Sequence, residues 1–286
     1  MTIAQAYRLL VQALVPDFGE REAKSLARIV FEDGFGIRQL GRTEVLAPHQ
    51  RNRLRDIQSR LLRGEPVQYI LGRTQFYGLE LQVSPDVLIP RPETEELVHW
   101  ILEEIRRGRI GPHSVALDVG TGSGCIAIAL GHQVPTMDLW ALDVSDQALR
   151  IARENAQRHG VSLQLVEADV LDPKRLDALP ELDLIVSNPP YIPWSERGLM
   201  GNNVRAYEPP QALLVPDEDP LLFYRAITQL ACRKLAEGGW LFFELNEHFA
   251  EPVKNLLRQA GFQDIDLRAD MQGKWRMSVA RKTHPA

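Results

Sequence analysis

The stretch "LDVGTGSGCIAIAL", residues 117–130, reads as a buried strand, a glycine turn and the opening of a helix. Gly120, Gly122 and Gly124 let the backbone pass close to a ligand, and the N-terminus of the helix that follows offers N–H groups to it. The spacing is G-x-G-x-G. Cys125 stands where the third glycine of the dinucleotide pattern G-x-G-x-x-G would fall. Around this turn, apolar strands alternate with helices. "VALDVG", "DLWALDV", "LQLVEAD", "LDLIVSN" and "GGWLFFEL" are the strands. "GCIAIALGHQ", "SDQALRIARENAQRHG" (capped by Ser145, stopped by Gly160), "DPLLFYRAITQLACRKLAEG" and a segment from Pro252 to Gly261 are the helices. That alternation predicts an α/β fold, a parallel sheet covered on both faces. "QDIDLRAD" and "WRMSVARK" follow with no helix between them and predict an antiparallel hairpin at the sheet edge.

An open sheet of this kind binds ligands at the carboxyl ends of its strands. Asp118 lies just before the glycine loop, Asp143 ends the second strand and Asp169 the third. Asp143 suits a ribose diol, because a carboxylate accepts from two hydroxyls. Asp169 is placed to reach an adenine amino group and Asp118 an ammonium. A ligand with an ammonium, a ribose and an adenine but no pyrophosphate is S-adenosyl-L-methionine.

"SNPPYIP", residues 187–193, ends the fourth strand beside that loop. Pro189 and Pro190 have fixed φ and no N–H, which leaves the carbonyls of this stiff turn free to accept. The Asn188 side-chain oxygen and the Pro189 carbonyl can together receive both protons of a substrate –NH2 group, whose nitrogen is otherwise a poor nucleophile. Two preorganised acceptors aim it at a methyl sulfonium, and Tyr191 supplies a flat face and a π system that favours developing positive charge.

Upstream, "AQAYRLLVQALV" puts Ala6, Leu9, Leu10, Ala13 and Leu14 on one helical stripe, interrupted by Pro16 and Gly19. A helix over "EREAKSLARIVFED" follows. "PHQRNRLRDIQSRLLRG" adds another, with Leu54, Ile57 and Leu61 inward and Gly64 as its stop. "TQFYGLELQVSP" predicts a hairpin around Gly78, and "LIPRPETEELVHWIL" a helix starting near Thr94 or Glu93. The expected domains are a helical bundle over 1–72, a β-hairpin linker over 73–92 and a ligand-binding domain over 93–286.

The chain has 286 residues, 44% hydrophobic and 25% charged, with a net charge of -5. That balance gives no overall pull toward nucleic acid. Its longest apolar runs fall far short of the roughly 20 residues of a membrane span. "MTIAQAYRLLVQAL" lacks the basic start and cleavage site of a signal peptide, and two unpaired cysteines suit a cytoplasmic protein. The seven scattered histidines make no metal-binding spacing. Arg51, Arg53, Arg55, Arg60 and Arg63 crowd one helix, either as a solvated face or as a docking surface for an acidic partner.

These motifs resemble class I S-adenosylmethionine-dependent methyltransferases that modify planar –NH2 groups, and within them the HemK/PrmC family. The resemblance runs nearly end to end: "EPVQYILGRTQFYGLELQVSPDVLIPRPETEELV" (65–98), "LDVGTGSGCIAIAL" (117–130), "NPPYIP" (188–193) and "YEPPQAL" (207–213). It implies a Rossmann-like sheet with a small N-terminal helical bundle that recognises the substrate. The implied reaction is methylation of the glutamine of a Gly-Gly-Gln motif in peptide-chain release factors, which tunes translation termination. It also implies that Gly120, Thr121, Gly122, Ser123, Gly124, Asp143 and Asn188 hold the cofactor, and with Asp118, Asp169 and Val170 these make up the expected cofactor site. The glutamine would sit at Asn188, Pro189, Pro190 and Tyr191, with Asn188, Pro189 and Tyr191 catalytic. Three positions depart from the family. Val170 stands where a Trp often packs on adenine, and Asn246 and Phe249 replace the Gly and Gln of E-x-G-x-x-Q. Other readings are glutamine methylation of a ribosomal protein, amino methylation of adenine in nucleic acid, and a non-catalytic adapter. An acidic chain with no DNA-reading module argues against direct nucleic-acid binding, and no membrane contact is expected.

Overall fold

In the computed structural model, residues 1–283 are described, and they divide into two compact units. The first comprises Met1–Arg73 and Met200–Tyr207. Helix α1 (Ile3–Ile29) starts at a capping box between Thr2 and Gln5. It runs through Pro16 and departs from helical geometry only at Gly19, with φ +73°. The expected double interruption is therefore a single kink at the residue that tolerates positive φ. Ala6, Leu10 and Leu14 are buried, whereas Leu9 is 54% exposed and turns away from the stripe it was expected to join. A π turn (Val30–Gly34) extends the run. Helix α2 (Pro48–Leu62) buries Leu54, Ile57 and Leu61. Helix α3 (Val67–Leu71) ends on Gly72 in the left-handed region. On α2, Arg60 pairs with Glu65 at 2.5 Å, Arg63 donates to Ser59 Oγ, and Arg53 lies over the Phe35 ring. In the segment Met200–Tyr207, the Tyr207 hydroxyl donates to the Arg63 carbonyl at 3.1 Å.

The second unit comprises Thr74–Leu199 and the chain from Glu208 onward. Strands β1 (Arg73–Phe76) and β2 (Leu79–Gln82) form a hairpin whose two turn residues, Tyr77 and Gly78, both have positive φ. That is the primed turn which matches strand twist. Helix α4 (Pro92–Arg106) opens with proline in its first turn. The remaining elements are β3 (Val115–Val119), α5 (Cys125–Gln133), β4 (Asp138–Asp143), α6 (Asp146–Arg158), β5 (Gln164–Glu167), β6 (Leu182–Ser187), β7 (Ile192–Pro193), α7 (Asn202–Tyr207, in the first unit), β8 (Leu214–Val215), α8 (Leu222–Lys234), β9 (Leu235–Glu244), α9 (Ala250–Gln259), β10 (Gln263–Ala269) and β11 (Trp275–Arg281).

The seven-stranded sheet has the order β10-β11-β9-β6-β3-β4-β5. β9, β6, β3, β4 and β5 are parallel, while β11 and β10 add an antiparallel edge. Residues 235–238 were expected at the end of a helix and instead begin β9, because buried Leu235 pairs with Leu182 in extended form. One apolar layer packs α4 and α5 (Leu97, Trp100, Ile101, Ile128) on the sheet. The other packs α8 and α9 (Tyr224, Ile227, Leu230, Leu257). The winding reverses at β3, which lies between β4 and β6, so a crevice opens at the carboxyl ends of these strands.

Asn155 on α6 is fully buried and ties two loops together. It exchanges hydrogen bonds with Gln82 N (2.7 Å) and Gln82 O (3.0 Å), and donates to Ser123 O at 2.9 Å.

Candidate active site

At the carboxyl end of β3 the glycine loop turns through positive φ at Gly120, Gly122 and Gly124. The amides of Gly120 and Thr121 donate to the Leu142 carbonyl, at 2.8 and 3.0 Å, so these N–H groups are turned to β4. Gly122 N donates to Asp143 Oδ2 at 2.9 Å, and Ser145 N to Asp143 Oδ1 at 3.0 Å. Asp143 thus ties the glycine loop to the start of α6, one oxygen to each, and each oxygen keeps a further lone pair. Burial pushes its carboxyl above the ordinary carboxylate range, and the amides of Ser145, Gly122 and Val144 oppose that shift.

A cavity of about 230 Å³ opens against this loop. Of the residues singled out in the sequence, Gly120, Gly122, Asp143, Asp169, Val170, Asn188, Pro189 and Pro190 line it. Asp118 and the loop residues Thr121, Ser123 and Gly124 are not on the cavity wall. Asp118 is 2% exposed. Its Oδ2 accepts from Thr121 Oγ1 at 2.7 Å, its Oδ1 has no partner among the described residues, and burial lifts its pKa to about 7. Asp169 sits two residues beyond the end of β5, where its Oδ1 accepts from Leu171 N.

The far wall was not anticipated. It comes from Asp86–Leu88, from Pro209, Gln211 and Ala212, and from Phe223 and Ile227 of α8. A buried carboxylate joins the first two of these segments. Glu208, 4% exposed, takes Arg91 at 2.5 Å and the Ile89 amide at 3.3 Å. The lining carries three aspartates, Asp86, Asp143 and Asp169, and no Lys, Arg or His among the described residues. Such a set of acidic acceptors suits a cationic ligand with a hydroxylated ring and opposes a phosphate-rich one. It fits S-adenosyl-L-methionine.

Behind the N-P-P-Y turn lies a buried polar chain. Asn188 Nδ2 donates to Thr94 Oγ1 at 3.2 Å, and Thr94 Oγ1 donates to Glu244 Oε2 at 2.6 Å. The Tyr191 hydroxyl donates to Glu244 Oε1 at 3.1 Å. Tyr191 is thereby held against β9, outside the cavity lining. Burial raises the Tyr191 hydroxyl well above its usual range and lifts Glu244 to about 7. Arg91, Thr94 and Glu208 fall within the two stretches that carried much of the family resemblance, 65–98 and 207–213, which was the only signal in the sequence for them. Asn246 caps the turn Glu247–Phe249 by accepting from His248 N, so the departure from E-x-G-x-x-Q is absorbed locally.

Residues 5–72 match the PrmC N-terminal domain and residues 100–198 the Methyltransferase small domain. The release factor glutamine methyltransferase of Flavobacterium psychrophilum is 42% identical over 93% of this chain and 94% of its own length. That of Bacteroides thetaiotaomicron is 38% identical over 95% and 97%. That of Streptococcus pneumoniae is 36% identical over 91% and 90%. Among solved structures, a methyltransferase from Pyrococcus furiosus aligns over 80% of this chain and 99% of its own, with a TM-score of 0.53 and 19% identity. Human methyltransferase 10 domain containing protein aligns over 73% and 91%, at 0.52 and 20%. These two share the fold.

Proposed function

The chain belongs to the release factor glutamine methyltransferase family, and on that premise we propose that it transfers a methyl group from S-adenosyl-L-methionine to the side-chain nitrogen of a glutamine in a peptide-chain release factor. The observation that carries this reading is Asn188. It stands on a proline-stiffened turn in the wall of a cavity whose charged groups are all acidic.

In this reading Asp143 receives the ribose hydroxyls, Asp169 and Val170 lie at the adenine, and Gly120 and Gly122 follow the rest of the cofactor. Asp118 and the loop residues Thr121, Ser123 and Gly124 fix the loop's shape. When bound, S-adenosyl-L-methionine supplies a methyl group on a positively charged sulfur. Asn188 Oδ1 and the Pro189 carbonyl accept the two amide protons of the substrate glutamine, which draws electron density onto its nitrogen and fixes the direction of its lone pair. Pro190 keeps the turn rigid, and Tyr191 anchors it through its hydroxyl. One amide proton leaves to solvent after transfer, so the site needs no strong base.

Residues 1–72 serve substrate recognition, with the arginine-rich face of α2 toward an acidic partner, and residues 93–286 carry the chemistry. No helix among the described residues is long and apolar enough to cross a membrane, and a release factor substrate places the work in the cytoplasm. The test is intact-mass and fragment analysis of purified release factor after incubation with the protein and cofactor. The expected result is one added methyl group on the glutamine of Gly-Gly-Gln. An unmodified release factor alongside a methylated ribosomal protein would overturn the substrate assignment.

A further inference from the structure

Glu244 meets both ends of the Asn188–Tyr191 turn. Its Oε1 takes the Tyr191 hydroxyl at 3.1 Å, and its Oε2 takes Thr94 Oγ1 at 2.6 Å. Thr94 Oγ1 in turn receives Asn188 Nδ2 at 3.2 Å. Glu244 is 1% exposed and Thr94 2%, so no bulk water competes for these bonds.

Proton counting fixes their direction. A hydroxyl carries one proton and an ionised carboxylate none. Thr94 must therefore donate to Glu244, and the 2.6 Å separation suits a charged acceptor. Toward Asn188, Thr94 can then only accept. The carboxamide has to present its NH2 to Thr94, which leaves Oδ1 outside the network and available to a substrate donor.

We propose that Glu244 is a positioning residue whose negative charge, transmitted through Thr94, orients the Asn188 carboxamide so that its oxygen and not its nitrogen meets the substrate –NH2 group. This rests on the glutamine methylation proposed above. A protonated Glu244 has a proton of its own to give to Thr94. The Thr94 proton is then free to turn to Asn188, and an inverted carboxamide would set NH2 against NH2. The ionised form is the working one. Its surroundings keep it close to the point of change. Burial lifts Glu244 to about 7, the hydroxyls of Thr94 and Tyr191 and the charge of Arg276 on β11 oppose this, and Glu93 on α4 adds to it. Cys125 at the start of α5 and Tyr224 on α8, whose hydroxyl donates to the Glu244 carbonyl, also face it.

The experiment compares the native protein with Thr94→Val, Thr94→Ser and Glu244→Gln. It measures kcat on release factor and, by calorimetry, affinity for S-adenosylhomocysteine, which also reports folding. Thr94→Val and Glu244→Gln should each lose about 100-fold in kcat, the scale of one misdirected electrostatic contact, with cofactor affinity changed less than about threefold. Thr94→Ser, which keeps the hydroxyl, should retain kcat within about threefold. Native kcat should fall about tenfold per pH unit below the Glu244 pKa, while Thr94→Val, its relay cut, should be flat over the same range. A merely structural role would move stability or cofactor affinity and leave the shape of the pH profile alone. Thr94→Val at native speed, or Thr94→Ser as slow as Thr94→Val, overturns the relay. A native protein that methylates no glutamine fails the functional reading and takes the relay with it.

Discussion

Asp143 accepts a backbone hydrogen bond at each carboxylate oxygen in the wall of the proposed cofactor site, and its replacement tests that geometry. Both oxygens are bonded to backbone, Oδ2 to Gly122 N at 2.9 Å and Oδ1 to Ser145 N at 3.0 Å, and both keep a lone pair for the ribose hydroxyls. Asp143→Ala removes two charged acceptors, each worth about 1.5–3 kcal/mol, and water returns part of that to the freed hydroxyls. A net loss of about 2–4 kcal/mol corresponds to about 30- to 700-fold in affinity. Asp143→Asn should do no better. A carboxamide has one acceptor oxygen, so whichever way it lies, its NH2 faces either the Gly122 or the Ser145 N–H, donor against donor. Because burial raises the Asp143 pKa, the titration with S-adenosylhomocysteine belongs on the alkaline side of the protein's stable range, where ionisation of the native carboxylate is favoured. An Asp143→Asn affinity within about threefold of native would show that the carboxylate does not hold loop and ribose together.

Gly124→Ala should be costly without touching the ligand. Gly124 has φ +82°, and a Cβ there would meet Ile128 Cδ1 at 2.7 Å and Ala152 Cα at 3.3 Å. Left-handed strain plus overpacking amounts to about 2–4 kcal/mol, a fall in Tm on the order of 5–15 °C, partly restored by Ile128→Val; an unchanged melt refutes this. Asn188→Ala should cost about 100- to 1000-fold in single-turnover rate, with Asn188→Asp between Ala and native, because Asp keeps an acceptor but adds charge and loses the donor. A rate for Ala within a few-fold of native would make the carboxamide scaffolding. Glu244 and Asp118 are both raised to about 7 from 4.5 and 3.8. A folded pKa above the unfolded one gives stability that is full below the unfolded value and lost as pH rises through the folded one. The Tm of Glu244→Gln should therefore gain on the native protein between pH 5 and 8 while its turnover stays low, and a constant difference across that range contradicts the shift.

The parts of the site that a short stretch encodes were legible. The glycine turn, Asp143 at the end of β4 and Asn188 before two prolines each announce themselves within a few residues, because strand period and turn chemistry are local. The rest depends on long-range packing. Thr94 and Glu244 are 150 positions apart, and Arg91 and Glu208 are 117. No periodicity carries such a pairing. The Gly120 and Thr121 amides are taken by a neighbouring strand's carbonyl, a pairing set by the sheet and not by the loop's own residues. Leu9 fits the helical stripe by spacing, yet which edge of a stripe faces a core is settled by the partner helix. Tyr191 reads in sequence for its ring face, and its hydroxyl's buried carboxylate partner, 53 positions away, has no local signal.

Asn155 has a consequence for fluctuations. One side chain serves Gln82 of the hairpin and Ser123 of the glycine loop, 73 and 32 positions away. Any local opening that releases one of them leaves buried amide groups of Asn155 unpaired and weakens its hold on the other, so the two open as one cooperative unit. A ligand that holds the loop shut raises the free energy of that opening for both. The Gln82 amide, which lies outside the cavity lining, should then exchange its hydrogen more slowly when the cofactor is bound, reporting occupancy from a residue the cofactor never touches.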